Sequence, residues 1–336
     1  MRSYRLTAIG LDHLERIELP DPQPRAGEVL VRLEAASLNY RDLLLVQGKL
    51  YTESTLPVVP ISDGAGTVVA VGEGVRRFKP GDRVTTLYKS RWLAGAIRPE
   101  WIHAEPGGPN DGVMRELACF DAYALAPAPT HLSAVQAATL PIAALTAWHS
   151  LEISHITSGQ SVLVLGTGGV SLFALQFARL RGARVIVLSS SDEKLERAKA
   201  LGAEVGINYV RHGQWASLVR EATGGRGVDA VIETVGGSTL RQSMEAVAMH
   251  GLIALVGFLG GGEASIPLSH ALLKRVHLQG VAVASLEQHE QMVTAIEQTR
   301  LQPVIDRVFG FDELHDAFDL LASARHFGKI SIDFSR

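Results

Sequence analysis

Gly166-Thr-Gly168-Gly169-Val170-Ser171 is the stretch of this 336-residue chain whose residue types and spacing bear most directly on chemistry. Closely spaced glycines let a backbone turn sharply and approach a bulky anion with no Cβ in the way. Where such a turn opens a helix, the first amide N–H groups and the helix dipole face that anion, so a pyrophosphate suits the position. The flanks agree. Val162–Leu165 is a wholly apolar run, as a strand covered on both faces would be. Val170–Arg181 is amphipathic and stops at Gly182, and Arg184–Leu188 is a second apolar run. Strand, glycine turn, helix and strand form the unit that seats a dinucleotide. Ser171 stands where a third glycine is usual, and it is small enough for a helix to pack closely on a strand. A bare βα turn would carry similar glycines, so the setting between two strands decides the reading.

The end of the second strand bears on which dinucleotide is held. A carboxylate about 20 residues beyond the first glycine would bond the ribose 2′-hydroxyl of NAD. Here that place reads Ser189-Ser190-Ser191, followed by Lys194. Hydroxyls and a lysine accept a 2′-phosphate that a carboxylate would repel, so NADP(H) is favoured over NAD(H). Asp192 and Glu193 come late, and Ser190 to Glu193 reads as a capping box opening the next helix.

These residues need a frame. Past Lys194 the pattern predicts helices at Glu193–Leu201, Trp215–Thr223 and Leu240–Met249. Strands are predicted at Val205–Tyr209, Val228–Thr234, Leu252–Val256 and Leu278–Val283. Strands alternating with helices predict an α/β fold with a doubly wound parallel sheet, whose ligands lie at the carboxyl ends of the strands. Val235, Gly236, Gly257, Phe258, Val281 and Val283 are therefore expected beside the cofactor. Glycines that merely terminate strands would look the same. The N-terminal portion differs: Leu6–Ile9, Leu14–Leu19, Glu28–Ala35 and Thr67–Val71 read as short strands between Pro/Gly turns, an irregular β domain. Residues 89–115 show no periodicity and read as a long surface loop near the site, where Trp92 and Trp101 either shape the substrate mouth or pin the loop.

Composition narrows the function classes. With 46% apolar residues and 336 positions, two domains are expected. A formal charge of −3 argues against a grip on nucleic acid. No apolar run approaches the roughly 18 residues a membrane helix needs, and the N-terminal segment lacks a hydrophobic signal, so a cytosolic protein is expected. One cysteine, Cys119, excludes an internal disulfide and any multi-cysteine zinc cluster.

Several strings together resemble the medium-chain dehydrogenase/reductases, in the zinc-independent branch that holds quinone oxidoreductases. They are Pro-Arg-Ala-Gly-Glu-Val-Leu-Val-Arg (24–32), Ser-Leu-Asn-Tyr-Arg-Asp (37–42), Asp63-Gly-Ala-Gly66 with Val69-Ala-Val-Gly72, and Lys79-Pro-Gly-Asp-Arg-Val84. Leu145-Thr-Ala-Trp148, the glycine turn and His326-Phe-Gly-Lys-Ile330 complete the set. The resemblance implies a Rossmann domain (126–302) inserted in a GroES-like β-barrel domain (1–125 plus 303–336). It also implies dimers or tetramers that pair sheet edges, with Leu278–Val283 as the candidate edge.

The places that hold zinc ligands in metal-dependent relatives fall, on this resemblance, at Asn39, Ser62 and Ile142. An amide, a hydroxyl and an alkyl group do not make a zinc site. Arg41 takes the place of a proton-relaying hydroxyl, and the scattered His103, His131, His149 and His155 read as surface or packing residues. Without a Lewis acid, the implied reaction is hydride transfer from NADPH to a quinone, an activated alkene or a similar carbonyl acceptor. Asn39 is the first choice for a polar group in the site, toward the nicotinamide ribose or the substrate oxygen, followed by Tyr40 and Tyr51, with Ser62 in support. Asp42 reads as a loop-tying residue. The family pattern carries Ser190, Ser191, Lys194 and Tyr209 to the 2′-phosphate, Thr146 to the nicotinamide, and Lys329 to the cleft. An alcohol or aldehyde dehydrogenase on the same scaffold, and a nucleotide-binding sensor without turnover, remain open.

Overall fold

In a computed structural model that describes residues 1–50, 56–102 and 105–336, the chain forms two units, Met1–Leu145 with Val283–Arg336, and Thr146–Ala282. The second is built on six parallel strands. In spatial order they are Val205–Asn208, Arg184–Ser189, Ser161–Leu165, Val228–Glu233, Val247–Leu255 and His277–Gly280. Chain order reverses direction between Ser161–Leu165 and Val228–Glu233, so the crevice for a ligand falls at the carboxyl ends of those two strands. Every residue of Ser161–Leu165 is buried, as a strand covered on both faces requires. The central core gathers Leu163, Leu165, Ile186, Leu188, Val231 and Ile253 with Trp215 and Val219 of the Trp215–Ala222 helix.

Most elements lie where the pattern places them, but their ends differ; Glu28–Leu38 and Asp63–Val71 run further than the expected Glu28–Ala35 and Thr67–Val71. The helix starting at Leu240 ends at Ala246, and Val247–Leu255 is strand, because Gly251 and a left-handed His250 let the chain bend inside an apolar run. The last strand is His277–Gly280 rather than Leu278–Val283; Val283 has φ 64°, which no strand accommodates. The first strand is Arg2–Leu6, paired with Leu14–Glu18, so Thr7–Ile9 belong to the turn.

The first unit carries a mostly antiparallel sheet in the order Ile305–Gly310, Lys329–Asp333, Glu28–Leu38, Asp63–Val71, Arg83–Thr86, Leu125–Pro127, with Leu117–Asp121 also pairing Glu28–Leu38. This is the GroES-like β unit, and it draws strands from both chain ends. It extends further along the chain than residues 1–125 and 303–336. Leu125–Pro127 pairs with Arg83–Thr86, the Ala134–Ala137 helix packs on the sheet, and the Leu286–Thr299 helix packs on Leu125–Pro127. Burial on this sheet, not the edge of the helical pattern, sets the seam.

The described residues of 89–115 are irregular apart from a short turn of helix at Pro99–Trp101, yet both ends of the segment are buried. Trp92 pins the loop: its carbonyl accepts from Leu286 N–H at 2.9 Å and its indole donates to Gly95 O at 2.8 Å. Among the described residues no helix is long and apolar enough to cross a membrane.

Candidate active site

The carboxyl edge of the parallel sheet brings most of the expected cofactor residues to one line. Gly166 has φ 77° and donates to Leu188 O at 2.9 Å, so the turn is tied to the neighbouring strand. The helix Gly169–Leu180 begins after Gly168, with no side chain capping it and open space where a Cβ on Gly168 would stand. Its first amides have no helical partners and suit a pyrophosphate. Val170 lies in that first turn. Ser171 closes the motif differently from glycine: its Oγ donates to Leu165 O at 2.7 Å, so the hydroxyl that replaces the third glycine is spent on the strand end.

The next strand ends at Ser189 and the cap falls on Ser191, whose Oγ accepts from Lys194 N–H at 3.3 Å. The expected Ser190–Glu193 box is thus displaced by one residue, because Ser190 is still in the connection. Ser190 is exposed, and Tyr209, half exposed, donates its backbone N–H to Ser189 O at 3.1 Å. Asp192 is engaged by Asn208 Nδ2 at 2.7 Å and by Arg211.

A residue the sequence reading passed over organises the next loop. Glu233, fully buried at the end of its strand, accepts from the backbone N–H groups of Val235 and Gly236 at 3.0 Å each, and from the hydroxyls of Thr239 and Ser243. Gly236 lies against Gly257: a Cβ on it would meet Gly257 O at 2.6 Å, and one on Gly257 would meet Thr234 O at 2.2 Å. These glycines hold two strand-end loops together, and Phe258 stands half exposed beyond them. Val281, nearly buried, donates to Leu255 O at 2.9 Å, and Val283 is buried in its left-handed conformation in the first unit. Thr146, the first residue of the second unit, is buried, and its carbonyl accepts from Ser150 Oγ at 2.7 Å.

In the first unit, Asn39 joins a buried polar chain. Its Nδ2 donates to Asp63 Oδ2 at 2.9 Å, and its Oδ1 accepts from Lys329 Nζ at 2.7 Å. Lys329 also donates to Leu38 O at 2.6 Å, and Asp63 Oδ2 accepts from the Ile142 N–H at 3.2 Å. That amide is released by a π-helical turn at Leu140–Ala144. Burial pushes the Asp63 carboxyl up to about 7, reinforced by Asp42 and opposed by Lys329, Asn39 and the Ile142 amide. Burial likewise lowers Lys329, while Asp63 and Asp42 oppose that shift. Asp63 is a second residue the sequence reading missed as part of the site; its signal was an acid opening an otherwise apolar, glycine-bearing strand.

Ser62 and Arg41 form a neighbouring cluster. The Arg41 guanidinium donates to Ser62 Oγ at 2.7 Å, Gly107 O at 2.6 Å and Gly108 O at 2.9 Å, and lies 3.1 Å from Asp42 Oδ1. Ser62 Oγ in turn donates to Asp42 at 3.3 Å, and Asp42 Oδ2 accepts from the Asn39 N–H at 2.8 Å. Asp42 thus ties its loop, as expected, and Ser62 is committed to a clamp. Tyr40 is 41% exposed on the first helical position after Asn39. Tyr51 and His103 lie outside the described residues.

Comparison with known proteins fits this picture. One family model, an alcohol dehydrogenase GroES-like domain, matches residues 25–130; another, a zinc-binding dehydrogenase, matches residues 169–298. The chain is 44% identical over 330 residues to a zinc-type alcohol dehydrogenase-like protein of Schizosaccharomyces pombe, covering 96% of this chain and 95% of that one. It is 30% identical to the acryloyl-coenzyme A reductase of Metallosphaera sedula, covering 93% and 94%. The crystal structure of a putative alcohol dehydrogenase from Sinorhizobium meliloti superposes with a TM-score of 0.93 at 40% identity, covering 99% and 98%.

A zinc ion, present in two of these names, does not fit the donors found here. Both polar atoms of the Asn39 amide are engaged, Ser62 is bonded to a guanidinium, and Ile142 offers no side-chain donor. Among the described residues, no three His, Cys, Asp or Glu side chains gather as a ligand set. His131 is turned to Leu301 O at 3.1 Å, and His149 is half-buried, with its basicity lowered by burial.

Proposed function

The chain belongs to the medium-chain dehydrogenase/reductase superfamily of oxidoreductases, and on that premise we propose that it is a zinc-independent, NADPH-dependent reductase of a small activated alkene, quinone or similar carbonyl acceptor. The observation that carries this reading is the strand end at Ser189–Ser191. It offers hydroxyls and the neighbouring Lys194 where an NAD site would place a carboxylate; the acids come later, in the first turn of the next helix, and the first of them, Asp192, is paired with Arg211 and Asn208. The uncapped helix start at Gly168–Gly169 receives the pyrophosphate. NADPH, when bound, supplies the hydride; the protein orients it and polarises the acceptor. The acceptor class is supported by the side chains of Asn39, Ser62 and Ile142, whose chemistry does not suit a zinc ion that would help deprotonate an alcohol, and by the relative named for acryloyl-coenzyme A reduction.

The same reading includes a cytosolic location and a homodimer. All four residues of the edge strand His277–Gly280 are exposed, and Leu268, Leu272 and Leu273 of the adjoining helix are 69%, 76% and 76% exposed. An apolar strip beside an unpaired strand edge suits a second copy of the chain.

Steady-state assays test the reading. NADPH oxidation is measured against enals, quinones and ketones, and NADP reduction against simple alcohols. Turnover of alkenals or quinones is expected, with Lys194→Ala raising KM for NADPH about tenfold or more and leaving NADH nearly unchanged. Equal effects on both cofactors would show that the 2′-site is misread, and turnover of alcohols alone would favour the dehydrogenase reading.

A further inference from the structure

The polar groups around Asn39 are bonded mainly to one another, and the valences left over state what a ligand must bring. Lys329 Nζ is a donor only, and it faces Asn39 Oδ1 at 2.7 Å. On the opposite side Asp63 Oδ2 accepts from Asn39 Nδ2 at 2.9 Å, while the second N–H of Nδ2 faces Ser37 O at 3.4 Å. An amide can be placed in a site either way round, but here an ammonium on one side and a carboxyl on the other allow one orientation. The orientation survives titration of either partner. A neutral lysine still donates, and a protonated Asp63 carries its proton on Oδ1, which has no hydrogen-bond partner, so Oδ2 still accepts. Asn39 is therefore aligned head to tail between a buried cation and a buried anion, each dipole strengthening the next.

We propose that Asp63 and Lys329 are positioning residues that set the polarity of the Asn39 amide, so that this part of the site meets a ligand with an acceptor oxygen and selects a hydrogen-bond donor. Both amide N–H groups are committed, whereas Oδ1 keeps a second lone pair. The carbonyl oxygen of an enone or quinone is itself an acceptor and finds no partner in Asn39. A hydroxyl does, and the ribose hydroxyls of a nicotinamide cofactor belong to that class of donor. That last step rests on the cofactor reading above; the polarity lock does not.

The chain has three asparagines, Asn39, Asn110 and Asn208, so selective ¹⁵N-asparagine labelling gives three side-chain amide signals, with Asn39 assigned by its loss in Asn39→Ala. Without any ligand, the Asn39 amide protons are expected to exchange at least ~100-fold more slowly than those of exposed Asn110. The Asp63→Ala/Lys329→Met double variant, which leaves no lone buried charge and so is the one most able to fold, should lose that protection; circular dichroism confirms its fold. Binding of NADPH and of its analogue lacking the nicotinamide-ribose 2′-hydroxyl is then compared by fluorescence. The intact protein should bind the analogue about tenfold more weakly, the value of one hydrogen bond, and Asn39→Ala and the double variant should hardly distinguish the two. Protection that persists in the folded double variant, or discrimination unchanged in it, overturns the proposal. Protection that behaves as expected in a protein that binds neither dinucleotide supports the lock and overturns the cofactor reading instead.

Discussion

Single residues show how burial converts side-chain chemistry into measurable properties. His289 is wholly buried, with Thr85 Oγ1 3.3 Å from its Nε2, and burial lowers its pKa from 6.5 to about 4. The folded form stays neutral where the unfolded chain takes up a proton. The stability this supports is complete above pH 6.5 and is lost as pH falls toward 4, by about 3 kcal/mol in all. Denaturant titrations of the intact protein and His289→Gln at pH 7.5 and 4.5 should therefore converge at the lower pH, and parallel curves would refute the assignment. Nothing in the local sequence shows that the His289 imidazole meets Thr85, 204 positions away. Asp63 was missed for a related reason: its place at the head of an apolar strand is a local sign, but Asn39 and Ile142 reach it only on folding. Glu233 differs, because Val235, Gly236, Thr239 and Ser243 all lie within ten positions, and only the closing of that loop distinguishes it from a solvated acid.

At the scale of elements, regular pieces were readable and irregular ones were not. The parallel strands and the glycine turn follow from period and breakers alone, with errors of a residue or two at most ends and of three to five where Val247–Leu255 starts and His277–Gly280 stops. The segment around Glu105–Met114 has no period, yet it is built tightly. Gly112 N–H donates to Val59 O at 2.7 Å, Val113 N–H to Ile61 O at 2.9 Å, and Arg41 fastens the carbonyls of Gly107 and Gly108. Gly107 has φ 71°, and a Cβ there would meet the backbone of Ile61 at 2.7 Å. Ile61 itself takes φ 69°, an uncommon conformation for a β-branched residue, directly before Ser62 and Asp63. Gly107→Ala should therefore cost well over 1 kcal/mol and lower Tm, because the side chain adds both left-handed strain and a backbone clash. Gly95→Ala, equally left-handed but in open space, serves as the control for strain alone. A similar loss in both would mean that the close approach to Ile61 is unimportant.

For the whole molecule, the testable property is assembly. The exposed strand edge at His277–Gly280 and the leucines beside it lead to a solution mass near twice 36.1 kDa, and Leu272→Lys/Leu273→Lys should bring it to the monomer value by light scattering. An intact protein already monomeric at micromolar concentration would remove the proposal. The sequence by itself determined the class of fold, the glycine turn and the lack of a carboxylate at Ser189–Ser191, because these are local: a period, a breaker or a residue type at a short fixed offset. Tertiary structure alone decided where the two units divide, which way the Asn39 amide faces and which acids are buried. Those facts depend on groups such as Asn39, Asp63, Ile142 and Lys329 meeting across 24, 79 and 290 positions, and one chain read in order carries no distance between them.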